Sequence, residues 1–303
     1  MRIKFLGTSS AVPTNDRGLS AILVKVGRDT ILMDCGDGTQ RQMIKSKESP
    51  VRIDRIFITH LHGDHFFGLF PLLQSLNILK KRDSLEIYAP ADLEDLIQKI
   101  NETTKAKESS FDIHFYPIKP DKEYEFSGYK VKFFNVDHAG FETYGVKIEE
   151  SYKPGRFDPN KADELGVPVI MRGLLQKGFS IKLPDGRIVR PEDVMGPPRR
   201  GAIVVYSSDT RPTDSVVRES KGADLLIHEA TYLDDLKDRA IATGHSTALE
   251  AGRVAREAGV KKLILTHFSA RYRKDDMHRF LEEAFQEFKG EVKTAEDFMS
   301  LEV

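Results

Sequence analysis

Four side chains able to bind a metal crowd into one short segment, THLHGDH, which holds His60, His62, Asp64 and His65. The segment follows the apolar run RIFIT and precedes the helix-like pattern FFGLFPLLQSL. At a strand end alternate side chains point the same way, so His60 and His62 can share one metal while the turn carries Asp64 and His65 to a second position. Imidazole and carboxylate donors without thiolate suit zinc, and they also accept manganese or iron. Three further groups of this kind stand at or just beyond the C-terminal ends of apolar runs: YKVKFFNVDH ends at His138, AIVVYSSD at Asp209 and KLILTH at His267. Sites in layered α/β proteins assemble on the loops after strands, so these four ends are expected to converge on one pocket. His114 and His278 lack such placement and read as surface or satisfied histidines.

The elements that must position these groups alternate along the chain. Strands are expected at 2–6, 21–26, 30–34, 55–59, 85–88, 129–136, 202–207, 224–228 and 262–266. Helices are expected near 66–79, 92–104, 213–220, 246–258 and 275–288, the fourth capped by Ser246. That order implies an α/β fold of stacked sheets flanked by helices. Residues 154–201 differ in kind, with seven of the chain's 14 prolines and seven glycines, and read as an inserted, extended arm. Within 151–182, six Lys or Arg stand against three acids, a local basic balance suited to a phosphate backbone or, equally, to a solvated loop.

Composition narrows the classes. The 303 residues are 40% hydrophobic, enough for a substantial core. No apolar run approaches the roughly 18 residues of a membrane span, and MRIKFLGTSS enters a strand pattern in place of a signal-peptide core, so the expected location is the cytoplasm. Cys35 is the single cysteine and reads as a small buried residue, excluding an intrachain disulfide and a thiolate metal site. With 46 basic and 47 acidic residues, any surface for nucleic acid must be local.

HxHxDH followed by later His, Asp and His resembles the metallo-β-lactamase superfamily, over nearly the whole chain. The resemblance implies an αββα four-layer sandwich as a single domain over 1–303. It also implies two zinc ions per subunit, with manganese or another divalent metal as the alternative. His60, His62 and His138 would hold one ion, Asp64, His65 and His267 the other, and Asp209 would bridge them. Two such ions can activate a water and stabilise charge on a phosphoryl centre, with Asp64 as proton acceptor. A purely structural zinc site is the lesser reading, since such sites close four ligands, often thiolates, around each ion.

Further segments resemble the ribonuclease Z family in order and spacing: FLGTSSAVPT, DCGDGTQRQM, SSDTRP, HEATY, GHST and THFSARY. This resemblance makes Glu229 and His245 catalytic, His245 protonating the leaving 3′ oxygen or supporting the phosphate and Glu229 orienting it. Read without it, HEATY ends a buried strand and GHST caps a helix. It further implies precursor tRNA as substrate, a homodimer, and a tRNA-gripping exosite at the arm, 151–195. For phosphate contact the loop Gly7–Gly18 and the turn Gly36–Thr39 offer backbone donors, and Arg271 a charged fork. The chain departs from relatives where Val167 separates Gly166 from Pro168, and where DRGLS replaces an Arg-Asn pair. Competing readings are a small-molecule phosphodiesterase or other hydrolase of this fold, an iron redox protein, whose kind carries glutamate where His62 stands, and a noncatalytic RNA binder.

Overall fold

The computed structural model describes residues 1–105 and 109–303. These divide into two compact units, Met1–Glu149 with Ala202–Val303, and Glu150–Gly201.

The larger unit holds two seven-stranded sheets. The first contains β1 (Arg2–Gly7), β3 (Ala21–Val26), β4 (Asp29–Met33), β5 (Arg55–Phe57), β6 (Leu85–Ala89), β7 (Ile113–Pro117) and β18 (Ser300–Glu302), in the order β18-β1-β3-β4-β5-β6-β7. The second contains β8 (Glu123–Phe126), β9 (Tyr129–Asn135), β10 (Tyr144–Glu150), β13 (Ile203–Tyr206), β14 (Leu225–Glu229), β15 (Lys262–Thr266) and β17 (Glu291–Thr294), in the order β17-β15-β14-β13-β10-β9-β8. A short ladder pairs β2 (Ser9–Ser10) with β16 (Phe268–Ser269).

Period-two patterning explains the layers. In β3, Ile22, Val24 and Val26 join the core shared with Tyr129, Val131, Val204 and Ile227 of the second sheet. Ala21 and Leu23 turn the other way, towards α1 (Thr39–Lys45), α3 (Leu69–Ile78) and α4 (Asp92–Thr104). In β13, Val204 and Tyr206 face the first sheet, while Ile203 and Val205 meet α8 (Asp214–Glu219), α10 (Ala248–Ala258) and α11 (Met277–Glu287). Strands buried on both faces read as continuous apolar runs, and helices outside both sheets make the expected αββα sandwich.

Two expectations shift, and that for Cys35 holds. The helix expected at 66–79 is broken into α2 (Gly63–Phe66) and α3, with Gly68 between them. A Cβ at Gly68 would lie 2.0 Å from the Gly36 oxygen, so the break is a close backbone approach. Thr247, not Ser246, caps α10 by accepting from the Glu250 N–H, while Ser246 Oγ donates to Thr210 O at 2.6 Å. Cys35 is fully buried, and burial pushes its thiol well above the usual range.

The smaller unit carries more regular structure than its proline and glycine content suggested. It holds α5 (Pro159–Glu164), α6 (Val169–Gln176), α7 (Pro191–Val194) and the hairpin of β11 (Ile181–Lys182) with β12 (Ile188–Val189). These elements close over a core of their own that includes Ala162, Leu175, Ile181 and Val194. Val169, Ile170, Phe179 and Ile188 stay exposed.

The remaining helix, α9 (Lys237–Thr243), leads into GHST.

Candidate metal centre

Every singled-out ligand sits just past the end of a strand. His60 and His62 follow β5, α2 presents Asp64 and His65, His138 follows β9, Asp209 follows β13, and His267 follows β15. Backbone geometry is unusual at these ends. Asp34, Ala139, Ser208 and His267 all have φ between 49° and 62°, a left-handed conformation costly for residues with a Cβ and retained where a site over-determines it.

The donors converge. One ligand atom each from His60, His62 and His138 fall within 4.8 Å of one another, as do those of Asp64, His65, Asp209 and His267. Asp209 Oδ2 lies between the groups, 3.2 Å from His65 Nε2, 3.3 Å from His267 Nε2, 3.8 Å from His60 Nε2 and 3.9 Å from His138 Nε2.

The surrounding hydrogen bonds set which nitrogen of each ring is free. His65 Nδ1 meets Asp34 Oδ2 at 2.8 Å, His138 Nδ1 meets Gly244 O at 2.8 Å, and the Nδ1 atoms of His60 and His267 meet the hydroxyls of Thr59 and Thr231, each at 3.0 Å. With Nδ1–H donating outward, each of these rings turns an Nε2 lone pair into the cluster, the arrangement that orients metal-binding histidines. His60 Nε2 and Asp209 Oδ1 are buried and have no hydrogen-bond partner among the described residues. Orphaned, convergent imidazole and carboxylate atoms of this kind fit a divalent metal.

Electrostatics agree with a site built for positive charge. Burial works against ionised Asp209, yet His267 and His65 hold its carboxyl well below the usual range. Burial likewise opposes charge on Asp64, and His65 and His267 keep it ionised. Burial, reinforced by His65, holds His60 neutral.

Two threonine hydroxyls, which sequence reasoning missed, connect the rings to buried carboxylates. Thr59 Oγ1 donates to Asp34 Oδ1 at 2.9 Å while accepting from His60 and from Ser208 Oγ. Asp34 is thus a hub, taking His65 Nδ1, the Thr59 N–H and hydroxyl, and the Tyr206 hydroxyl. Thr231 Oγ1 donates to Glu229 Oε2 at 2.8 Å while accepting from His267. Glu229 also accepts from the N–H groups of Thr210 and Thr231 and, at 2.8 Å, from His245 Nδ1. Burial opposes charge on His245, but Glu229 outweighs it and raises the ring to about 9, so His245 carries a proton at neutral pH. Its side chain keeps 12% exposure beside the fully enclosed Glu229. Gly244 makes this approach possible: it has φ +76°, and a Cβ there would stand 2.5 Å from Ala139 N.

The residues expected to touch phosphate fare differently. Gly36 N donates to Ser20 O, and the N–H and hydroxyl of Thr39 both donate to Gly36 O. Neither has a donor left for substrate. Gly36 instead lets the chain pass Asp64, since a Cβ there would meet Asp64 O at 2.3 Å. In the Gly7–Gly18 loop the Ala11 N–H donates to Asp64 Oδ2 at 2.7 Å. That loop is tied down by Asp297, another residue missed, which accepts from Thr8 Oγ1, the Gly18 N–H and Gln42. Arg271 is exposed and lies over the Tyr232 ring, its guanidinium carbon 5.3 Å from the centroid. His114 and His278 are exposed and outside the cluster.

Known proteins with this architecture agree. The family model described as Anti-Pycsar protein Apyc1 matches residues 1–154, and that of the Beta-lactamase superfamily domain matches 190–268. The crystal structure of human tRNase Z, short form, superposes with a TM-score of 0.72 at 29% identity, covering 100% of this chain and 99% of that one. The metallo-β-lactamase fold protein YhfI of Bacillus subtilis gives 0.71 at 23%, which speaks for the fold. The ribonuclease Z of Archaeoglobus fulgidus is 44% identical over 100% of this chain and 97% of its own length, and that of Myxococcus xanthus 40% over 100% and 98%. Full-length similarity at this level, with the family's motifs gathered around one cluster, makes the chain a member of the ribonuclease Z family.

Proposed function

We propose that this chain is the endoribonuclease that removes the 3′ trailer from precursor tRNA, hydrolysing one phosphodiester and leaving a 3′-hydroxyl on the tRNA. The observation that carries this reading is the Glu229–His245 pair set beside the ligand cluster in a chain of this family. Two zinc ions per subunit suit the donors, His60, His62 and His138 for one and Asp64, His65 and His267 for the other, with Asp209 between them and manganese as an alternative. Bound there, such a pair lowers the pKa of water and neutralises charge building on the phosphoryl oxygens.

The chain's own groups do the rest. Asp64, fixed by the Ala11 N–H, orients the attacking water and takes its proton as the new O–P bond forms. His245, kept protonated by Glu229, gives its proton to the 3′ oxygen as the P–O3′ bond breaks. Arg271, exposed at the rim, is a phosphate contact.

The unit Glu150–Gly201 grips the body of the tRNA. It carries ten basic against seven acidic residues and exposes Val169, Ile170 and Phe179, apolar surface on which a base plane can lie. The working form is a homodimer in the cytoplasm. No helix among the described residues is long and apolar enough to cross a membrane.

The test is cleavage of a precursor tRNA with a 3′ trailer, mapped to the nucleotide, with and without chelator, alongside metal analysis of the protein. One chelator-sensitive cut after the discriminator base, with two zinc ions per chain, is the expected result. Hydrolysis of a small phosphodiester without cleavage of the tRNA would keep the hydrolase and discard the substrate.

A further inference from the structure

The outer face of the first sheet carries a line of cations that the proposed chemistry does not use. It starts beside the reacting centre, where Gly36 packs on the Asp64 backbone and α1 begins three residues later. Along α1 and its end, Arg41, Lys45 and Lys47 are exposed and form no ion pair among the described residues. Glu48 follows, but its carboxylate is spent on Lys4 and Lys25, each at 2.6 Å. Lys25 then lines an open cleft of about 520 Å³ at the opening ends of β4 and β5, away from the strand ends that carry the ligands.

Four exposed cations without ion-pair partners among the described residues ring this cleft: Arg28, Arg52, Lys80 and Arg82. Lys80 holds a left-handed backbone, φ 56°. A fifth, Lys81, is buried, with its ammonium on Val51 O at 3.1 Å. Of the acids lining it, Asp29 is neutralised by Arg55, Asp54 accepts from the Thr30 N–H, and Asp83 lies near Lys81. In a chain of net charge −1, this concentration of unpaired positive charge is local.

We propose that this track binds the 3′ trailer of the substrate, the single strand on the far side of the cut. The inference rests on the ribonuclease reading. In-line displacement places the attacking water and the leaving oxygen on opposite sides of phosphorus. The tRNA end departs on the leaving oxygen towards His245, while the trailer keeps the phosphate through an oxygen that lies across that axis, free to run along the cations that begin at α1. Spaced cations without base-reading groups suit a single-stranded phosphate backbone of any sequence. The seven residues of α1 alone cover about 10 Å, roughly three stacked nucleotides, so a trailer of about two nucleotides falls short of the cleft.

The experiment compares the full-length protein with Arg28→Glu/Arg52→Glu/Arg82→Glu on two precursors, with trailers of about two and about twelve nucleotides. Expected is a KM raised roughly tenfold for the long trailer and unchanged for the short one, with kcat intact. The salt slope for binding the long trailer should fall by about two, three lost contacts at roughly 0.7 each. An unchanged melting temperature excludes misfolding. Fluorescence anisotropy with a labelled twelve-nucleotide single strand should show the same loss. Equal weakening on both precursors would assign the charge to the tRNA body, and no change on either would remove RNA from this face; each overturns the proposal. If the unaltered protein cuts neither precursor, the ribonuclease reading fails, and the anisotropy arm still decides whether the track holds single-stranded RNA.

Discussion

The two sheets contribute to the centre through the same device turned to different ends. On the first sheet, Asp34 takes His65 directly and His60 through Thr59; on the second, Glu229 takes His245 directly and His267 through Thr231. Both histidines joined to Asp34 are proposed ligands and are buried. Of the partners of Glu229, only His267 is a proposed ligand; His245 is not, and it is the one that solvent reaches. The carboxylate with its threonine relay is thus enclosed at both ends on the first sheet and opens to solvent at His245 on the second, the end proposed above to act as the acid.

The contrast is sharpest in turnover. His245→Ala is expected to lower kcat by roughly 10²–10⁴-fold with metal content unchanged, read by single-turnover cleavage beside metal analysis; full turnover would return His245 to a structural part. Asp34→Ala should instead cost about 3–5 kcal/mol of folding stability even in chelator, because it leaves several buried donors without an acceptor. Urea unfolding measures this, and a loss below about 1 kcal/mol would end its description as a hub.

A smaller effect separates the relays. Thr59→Val and Thr231→Val should each weaken metal binding about 10- to 100-fold, with serine restoring it, and only Thr231→Val should also slow turnover of the metal-loaded protein. Equal kinetic effects would erase the difference between the sheets. The smallest effect concerns the loop over Asp64. Burial raises the Asp297 carboxyl to about 6, so its protonated form is favoured in the fold. Its contribution is fully present below about pH 4 and is lost as pH rises through 6. Asp297→Asn does not titrate, so in chelated protein the melting temperature of the original chain, relative to the variant, should fall between pH 4 and 7. A constant gap would contradict the shift.

The candidate ligand cluster was legible because HxHxDH, His138, Asp209 and His267 each follow an apolar run, and the register of both sheets brings those ends together. The residues behind them were not. Asp34, Thr59 and Thr231 are ordinary types at strand ends, and their roles depend on which ring lies across from them in the folded chain. Helix α1 escaped notice because TQRQMIK is short, weakly apolar and opened by Gly38 in place of a side-chain cap. The prolines of 154–201 misled for a definable reason: Pro159 and Pro191 occupy the first positions of α5 and α7, where proline starts a helix.

The candidate ligands also lie far apart in the chain, from His60 to His267. A nascent or half-folded polypeptide carries the whole HxHxDH segment and still lacks the groups that complete the cluster. Metal affinity is then a property of the finished sandwich, and free energy of metal binding becomes stability of that state alone. Nuclease competence therefore waits for both sheets, and a fragment that ends before His267 lacks part of the cluster.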